Sequence, residues 1–318
     1  MANNLIKGIH HVTATVNDAQ EDYDFYTQLL GQRLVKKTVN FDNNRVYHFY
    51  YGDEVGTPGT IMTTFPYKGQ GVRQGRIGTG QVAITGFSAP TGAIPFWKRR
   101  LQDAGLAVAE RTKFGNPTLQ FEDPSGLILE ITGNDEDERK PWVTAEIGQQ
   151  EAIRGFYAVT LSVAQAPSTF DFLAKEFGFT KVASEGRITR FAAQDGGPGQ
   201  YVDVREDRGA ERGINGLGTV HHVAWRVEHD EALLAMRSRL ADELGFKVTE
   251  VKDRNYFHSI YFRMPGEVLF EIATIPPGFA IDESVENLGQ SLKLPEWEEP
   301  NRAQIENGLP KIKVPDHV

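Results

Sequence analysis

Cysteine is absent from all 318 residues. That excludes disulfides, a thiolate nucleophile and any cysteine-held zinc or iron–sulfur centre. A metal in this chain must be held by nitrogen and oxygen. No apolar run approaches the roughly 20 residues that span a bilayer, and the start, MANNLIKGIH, has no apolar stretch of the signal-peptide kind. The expected location is therefore the cytoplasm, with no membrane partner. Clustered basic residues are also missing. Lys and Arg number 34 against 43 Asp and Glu, a net charge of −9. The short patch Lys98-Arg99-Arg100 falls on a predicted helix as its solvated face. A nucleic-acid surface needs clustered positive charge, so none is expected.

What remains is a globular composition, 40% apolar and 24% charged, with enough length for two compact domains. An internal repeat organises it. A turn proline recurs at Pro58, Pro124, Pro198 and Pro265, spaced by 66, 74 and 67 residues. Each is followed by a strand-like run: TIMTTF, LILEIT, QYVDV and EVLFEIAT. Gly31, Gly105, Gly178 and Gly245 each close an amphipathic stretch, as at a helix C-cap. Tyr23, Tyr26, Leu29 and Leu30 share one helical face, as do Phe170, Leu173 and Phe177, and Leu233, Leu240 and Leu244. Asp18 and Glu21 have capping-box spacing. An alternating run precedes each helix: HVTATV, QVAITGF, AVTLSV and HVAWRV.

The unit is therefore strand, helix, then two or three strands, repeated near 8–67, 79–133, 153–207 and 219–275. The expected division is an N-terminal domain over 1–140, a C-terminal domain over 150–275, and a tail over 276–318. The tail is expected to wrap the surface, with one helical stretch near 300–308.

In register, the residues six after each turn proline are Thr64, Glu130, Val204 and Glu271. Matching the first strands pairs His11 with Gln81, Ala158 and His222. Alternation puts Val12, Ala14 and Val16 against the helix and His11 on the opposite face. Val223, Trp225 and Val227 oppose His222 in the same way, and Phe270 with Ile272 turn Glu271 from the helix. A buried unpaired carboxylate costs on the order of several kcal/mol, so Glu271 needs a partner, and a cation would serve. If modules 1 and 4 face each other, they assemble His11, His222, Glu271 and Thr64. Modules 2 and 3 then offer Gln81, Glu130, Ala158 and Val204, which hold no metal. Pairing neighbouring modules instead would leave two half-sites. Glu130 is expected to make a structural hydrogen bond or salt bridge, and His48, in YHFYYG, to pack in a strand.

This βαβββ unit, with His on its first strand and Glu on its last, resembles the vicinal oxygen chelate superfamily, which includes extradiol dioxygenases, glyoxalase I and fosfomycin-resistance proteins. GIHHVTATVNDAQEDYDFYTQLLGQRLVKKTVNFD, YHFYYGDEVGTPGTIMTTFP, TVHHVAWRV and DRNYFHSIYFRMPGEVLFEIAT together resemble the hydroquinone-type ring-cleaving dioxygenases. The resemblance covers nearly the whole chain. It implies an α+β fold of four modules in two half-barrel pairs, with modules 1 and 4 enclosing the metal. The family's ligands fall on His11, His222 and Glu271, and its substrate-contacting and supporting positions on His10, Thr13, His221, Arg254 and Tyr261. The implied metal is Fe(II), although Mn, Zn or Ni could take the same ligands. The implied partners are O2 and a small aromatic, in aromatic degradation or quinone detoxification, with His10 or His221 as base and Tyr261 or Arg254 steadying charge on oxygen. A thiol-free chain suits contact with quinones, which alkylate thiols. A glyoxalase-type isomerase would need a further carboxylate ligand where Thr64 stands. A non-catalytic aromatic-binding protein on this scaffold is the alternative of another class. Oligomeric state is open, a homodimer being the commonest assembly.

Overall fold

Each repeat folds as one strand, one helix and three strands. The first contains β1 (Ile9–Val16), α1 (Ala19–Asp24), β2 (Arg33–Asn40), β3 (Asn43–Gly52) and β4 (Ile61–Pro66). The second contains β5 (Gln81–Ala89), α2 (Ile94–Asp103), β6 (Ala109–Lys113), β7 (Asn116–Glu122) and β8 (Ile128–Gly133). The third contains β9 (Gly155–Val163), α3 (Pro167–Lys175), β10 (Thr180–Glu185), β11 (Ile188–Ala192) and β12 (Tyr201–Glu206). The fourth contains β13 (Thr219–Val227), α4 (Asp230–Ser238), β14 (Lys252–Asp253), β15 (Phe257–Arg263) and β16 (Leu269–Pro277). The computed structural model describes residues 5–314, so both ends of the chain, 1–4 and 315–318, lie outside the description. No helix among the described residues is long and apolar enough to cross a membrane.

Local chemistry sets the element ends. The Asp18 carboxylate accepts from the backbone N–H groups of Gln20 and Glu21, satisfying two donors that α1 leaves open. Gly31, Gly105, Gly178 and Gly245 all have φ between +67° and +82°, the left-handed turn that ends a helix at least cost in glycine. Leu244 departs from expectation. It sits exposed at the end of its helix, and Phe246, packed on Phe172 and Phe262, covers the core there instead.

The first and last strands of every module pair in parallel, a connection that needs a crossover. Two eight-stranded sheets result. One has the order β14-β15-β16-β13-β1-β4-β3-β2, and the other β10-β11-β12-β9-β5-β8-β7-β6. Module 4 is therefore joined to module 1 through β13 and β1, and module 3 to module 2 through β9 and β5. This is the non-sequential pairing expected from the ligand count. Val12, Ala14, Val16, Val223, Trp225 and Val227 lie in the main apolar core, which turns the intervening residues of β1 and β13 to the inner face of the first sheet. The tail contributes Phe279 and Leu288 to a second apolar cluster with Val35, Tyr50, Ile61 and Tyr256, and carries α5 (Arg302–Gly308).

The strand register corrects three positions. Glu271 pairs with Ala224 and Glu130 with Gly86; the matching pairs in modules 1 and 3 are Thr63 with Thr13 and Asp203 with Thr160. Thr63 and Asp203, not Thr64 and Val204, are thus the equivalents of Glu271. They come five residues after their proline rather than six, and a one-residue slip reverses the face of every side chain. Thr64 instead donates to Asp22 on the helix side, at 2.6 Å, and Val204 lies in the apolar core. In module 2, Ile84 stands where His11 and His222 do, two residues before the strand partner of Glu130, as His222 stands two before Ala224, the partner of Glu271. Gln81 lies further down and donates to Asn215.

The second sheet neutralises its inward acids internally. The Lys113 ammonium lies 2.9 Å from Glu130 and 3.1 Å from Asp203, and Arg190 grips Asp203 with two bonds of 2.7 and 2.9 Å. Glu130 therefore has the salt bridge expected of it. Removing one partner of a buried ion group strands the other charges, at a cost of about 3–5 kcal/mol. Lys113→Met is expected to lower stability by about that amount in urea unfolding, without changing metal content.

Candidate metal centre

β1 and β13 run antiparallel, with Thr13 opposite His222 and His11 opposite Ala224. β16 lies parallel beside β13, with Glu271 level with Ala224. Alternation turns His11, His222 and Glu271 to the same inner face. His11 Nε2 is 3.2 Å from His222 Nε2, and Glu271 Oε2 is 3.1 Å from the first and 2.7 Å from the second. All three are buried, and among the described residues they are the one such group whose donor atoms meet.

Hydrogen bonds determine where the protons sit. His10 Nε2 lies 3.0 Å from the Thr274 carbonyl, which can only accept, so this nitrogen carries a proton. Burial, and then the neighbouring His11, push the His10 pKa down to about 3, leaving the ring neutral. Its Nδ1 is then bare and accepts from His11 Nδ1–H at 2.9 Å, and His11 Nε2 presents a lone pair. The pairing recurs on β13, where His222 Nδ1 is 2.7 Å from His221 Nδ1. Burial, then His222, take the His221 pKa to about 3, so this ring is neutral; for His222 to bind a metal through Nε2, its Nδ1–H would donate to His221 Nδ1.

Glu271 completes the set. Tyr261 donates to its Oε1 at 2.9 Å. Arg254 Nε and Ser259 Oγ donate to the Tyr261 oxygen, which directs the phenolic proton at Glu271. Oε2 is fully buried and faces only the two ring nitrogens, at 3.1 and 2.7 Å. One charged oxygen and two nitrogen lone pairs thus aim at one point, an arrangement that repels itself without a cation. Edges of about 3 Å match three adjacent positions around an ion bound at about 2.1 Å. The triad can hold a divalent metal.

The triad forms the floor of a cavity of about 290 Å³. Phe41, Phe65, Tyr67 and Phe257 supply aromatic wall. Of the residues expected around the site, Thr13, His221, Arg254 and Tyr261 line the same cavity. His10 stands behind His11, packed against Phe257. His48 was expected only to pack in its strand, yet it faces the cavity. The signal was present in RVYHFYYG: Tyr47, Phe49 and Tyr51 alternate into the main core, which turns His48 and Tyr50 to the face of His11.

Comparison with known proteins agrees with this geometry. The profile of the Glyoxalase/Bleomycin resistance protein/Dioxygenase superfamily matches residues 8–131. The provisionally named ring-cleaving dioxygenase MhqO of Bacillus subtilis is 46% identical, over 96% of this chain and 97% of its own. The chain belongs to this superfamily, among its ring-cleaving dioxygenases. A second member, the chlorohydroquinone/hydroquinone 1,2-dioxygenase of Sphingobium indicum, is 36% identical over 91% of each chain. A crystal structure of a provisionally assigned dioxygenase from Bacillus subtilis superposes with a TM-score of 0.93 at 45% identity, covering 99% of this chain and 100% of the other. The superfamily's repeated module thus accounts for the whole described chain except its tail.

Replacing His11, His222 or Glu271 with Ala is expected to cut bound Mn(II) or Fe(II) at least tenfold by elemental analysis, since each loss costs a donor and a second-sphere partner. Glu130→Gln should keep the metal. If Glu130 proved essential for metal and Glu271 dispensable, the assignment would fail.

Proposed function

We propose that this protein is a non-haem Fe(II) dioxygenase that opens the ring of a hydroquinone-type substrate with O2, in aromatic degradation or quinone detoxification. The observation that carries this is the His11–His222–Glu271 face. Three protein donors on one side of an ion leave the remaining positions turned to an aromatic-walled cavity, a pattern that suits iron–oxygen chemistry. When bound there, Fe(II) supplies the one-electron exchange that O2 needs and favours the ionised form of a phenol bound to it. The relative acting on chlorohydroquinone and hydroquinone supports the substrate class. A volume of 290 Å³, at the small end of the roughly 300–1,000 Å³ usual for ligand pockets, suits a single ring.

The protein's own groups then have separate tasks. His10, fixed by Thr274, keeps His11 in the tautomer that binds metal. Both of its nitrogens are engaged, so it holds His11 rather than taking a substrate proton. His221 accepts from His222 on Nδ1, carries its proton on Nε2, and acts toward the cavity as a donor. Tyr261 orients Glu271. Arg254 adds positive charge where negative charge builds on a substrate oxygen.

A glyoxalase-type isomerase is less well supported, because Thr63 occupies the place of a further carboxylate ligand. The other acid on the cavity wall, Asp42, is 84% exposed and lies 3.8 Å from Arg254. Simple sequestration of an aromatic would not require the proton-ordering pairs behind both histidines.

With Fe(II) loaded anaerobically, adding hydroquinone or methylhydroquinone in air-saturated buffer should start oxygen uptake at one O2 per ring opened. Retained iron with no uptake across several hydroquinones and catechols would contradict this function.

A further inference from the structure

We propose that His48 is a positioning residue that aims the Thr13 hydroxyl into the cavity as a hydrogen-bond donor to a ring oxygen of the substrate. The proposal rests on the ring-cleaving reading for the identity of that substrate.

Four side chains on three adjacent strands of the first sheet form a chain of short contacts. The Tyr50 hydroxyl lies 2.9 Å from His48 Nδ1, His48 Nε2 lies 3.0 Å from Thr63 Oγ1, and Thr63 Oγ1 donates to Thr13 Oγ1 at 2.9 Å. The direction follows from counting protons. A hydroxyl has one proton, and Thr63 gives its own to Thr13, so toward His48 it must accept. His48 Nε2 therefore carries hydrogen. The ring is neutral, since burial, followed by His11 and Arg254, holds its pKa well below the ordinary imidazole value. Nδ1 is then bare and accepts from Tyr50. At the far end, the Thr13 proton has no acceptor among the described residues. Thr13 is almost wholly buried, and the open space it borders is the cavity. A buried donor left without a partner is costly, and a phenolic oxygen in the cavity would satisfy it.

His48 decides which way this chain runs. While its Nε2 carries the proton, Thr63 can only pass its own to Thr13, and Thr13 can only donate outward. Without His48, the two threonine hydroxyls can reverse, and Thr13 becomes an acceptor facing the substrate. This differs from a packing role, which would not act through Thr13.

The test is a double-variant cycle, read as anaerobic binding of methylhydroquinone to the metal-loaded protein by calorimetry and as KM and kcat for oxygen uptake. Thr13→Val and His48→Leu should each weaken binding about three- to tenfold, the worth of one hydrogen bond, and raise KM more than they lower kcat. The double variant should bind no more weakly than Thr13→Val alone. His48→Gln, which retains a donor nitrogen, should recover most of the loss. Tyr50→Phe leaves the fold's core filled and should weaken binding only when Thr13 is present, which covers a failure of His48→Leu to fold. Fully multiplicative effects, or wild-type affinity in both His48→Leu and Tyr50→Phe, would overturn the proposal. If the wild type consumes O2 while the cycle is multiplicative, the proposal alone fails. A wild type that neither binds methylhydroquinone nor consumes O2 overturns the ring-cleaving reading and the proposal together.

Discussion

The antiparallel pairing of β1 with β13 is the constraint on which the site depends. It places Thr13 against His222 and His11 against Ala224, so that residues more than two hundred positions apart project from one surface. Glu271 joins them because β16 runs parallel to β13. The resulting concentration of lone pairs and negative charge in a buried place is unfavourable by itself. The His10 contact worsens it by taking the His11 Nδ1 proton and leaving His11 Nε2 bare. Such an arrangement makes physical sense around a cation and is hard to rationalise otherwise.

The second sheet shows the same scaffold with the opposite solution. Its inward acids, Glu130 and Asp203, occupy the positions of Thr63 and Glu271 respectively, and Lys113 supplies the cation from within the chain. The positions matching His11 and His222 are Ile84 and Ala158, which offer no donor. One half of the molecule therefore satisfies its buried charge permanently, and the other leaves it for a guest ion. Stability and chemistry are divided between two copies of one architecture, consistent with buried ion groups being costly to break rather than strongly stabilising.

Much of this was legible in the sequence. Strand alternation, the four helix-ending glycines and the count of possible ligands were enough to pair module 1 with module 4 and to select His11, His222 and Glu271. Finer register was not. Counting from the turn proline misplaced Thr64 and Val204, because turn length varies by one residue and no local signal marks which turns are shorter. Gln81 was misplaced by three residues, because a short apolar run carries no fixed point from which its register can be counted. His48 was readable from the alternation of Tyr47, Phe49 and Tyr51, but its importance appears only when β3 curls beside β4 and brings it to Thr63. The direction of the proton chains depends on distances between side chains from different strands.

A cation held by His11, His222 and Glu271 would tie β1, β13 and β16 together across most of the chain's length. Hydrogen exchange of the metal-free and Mn(II)-loaded protein, followed strand by strand, tests this most directly. Protection should rise together in β1, β13 and β16 on adding metal, with β5, β8, β9 and β12 unchanged. Protection gained instead around Lys113 and Glu130, or confined to β1 alone, would contradict it.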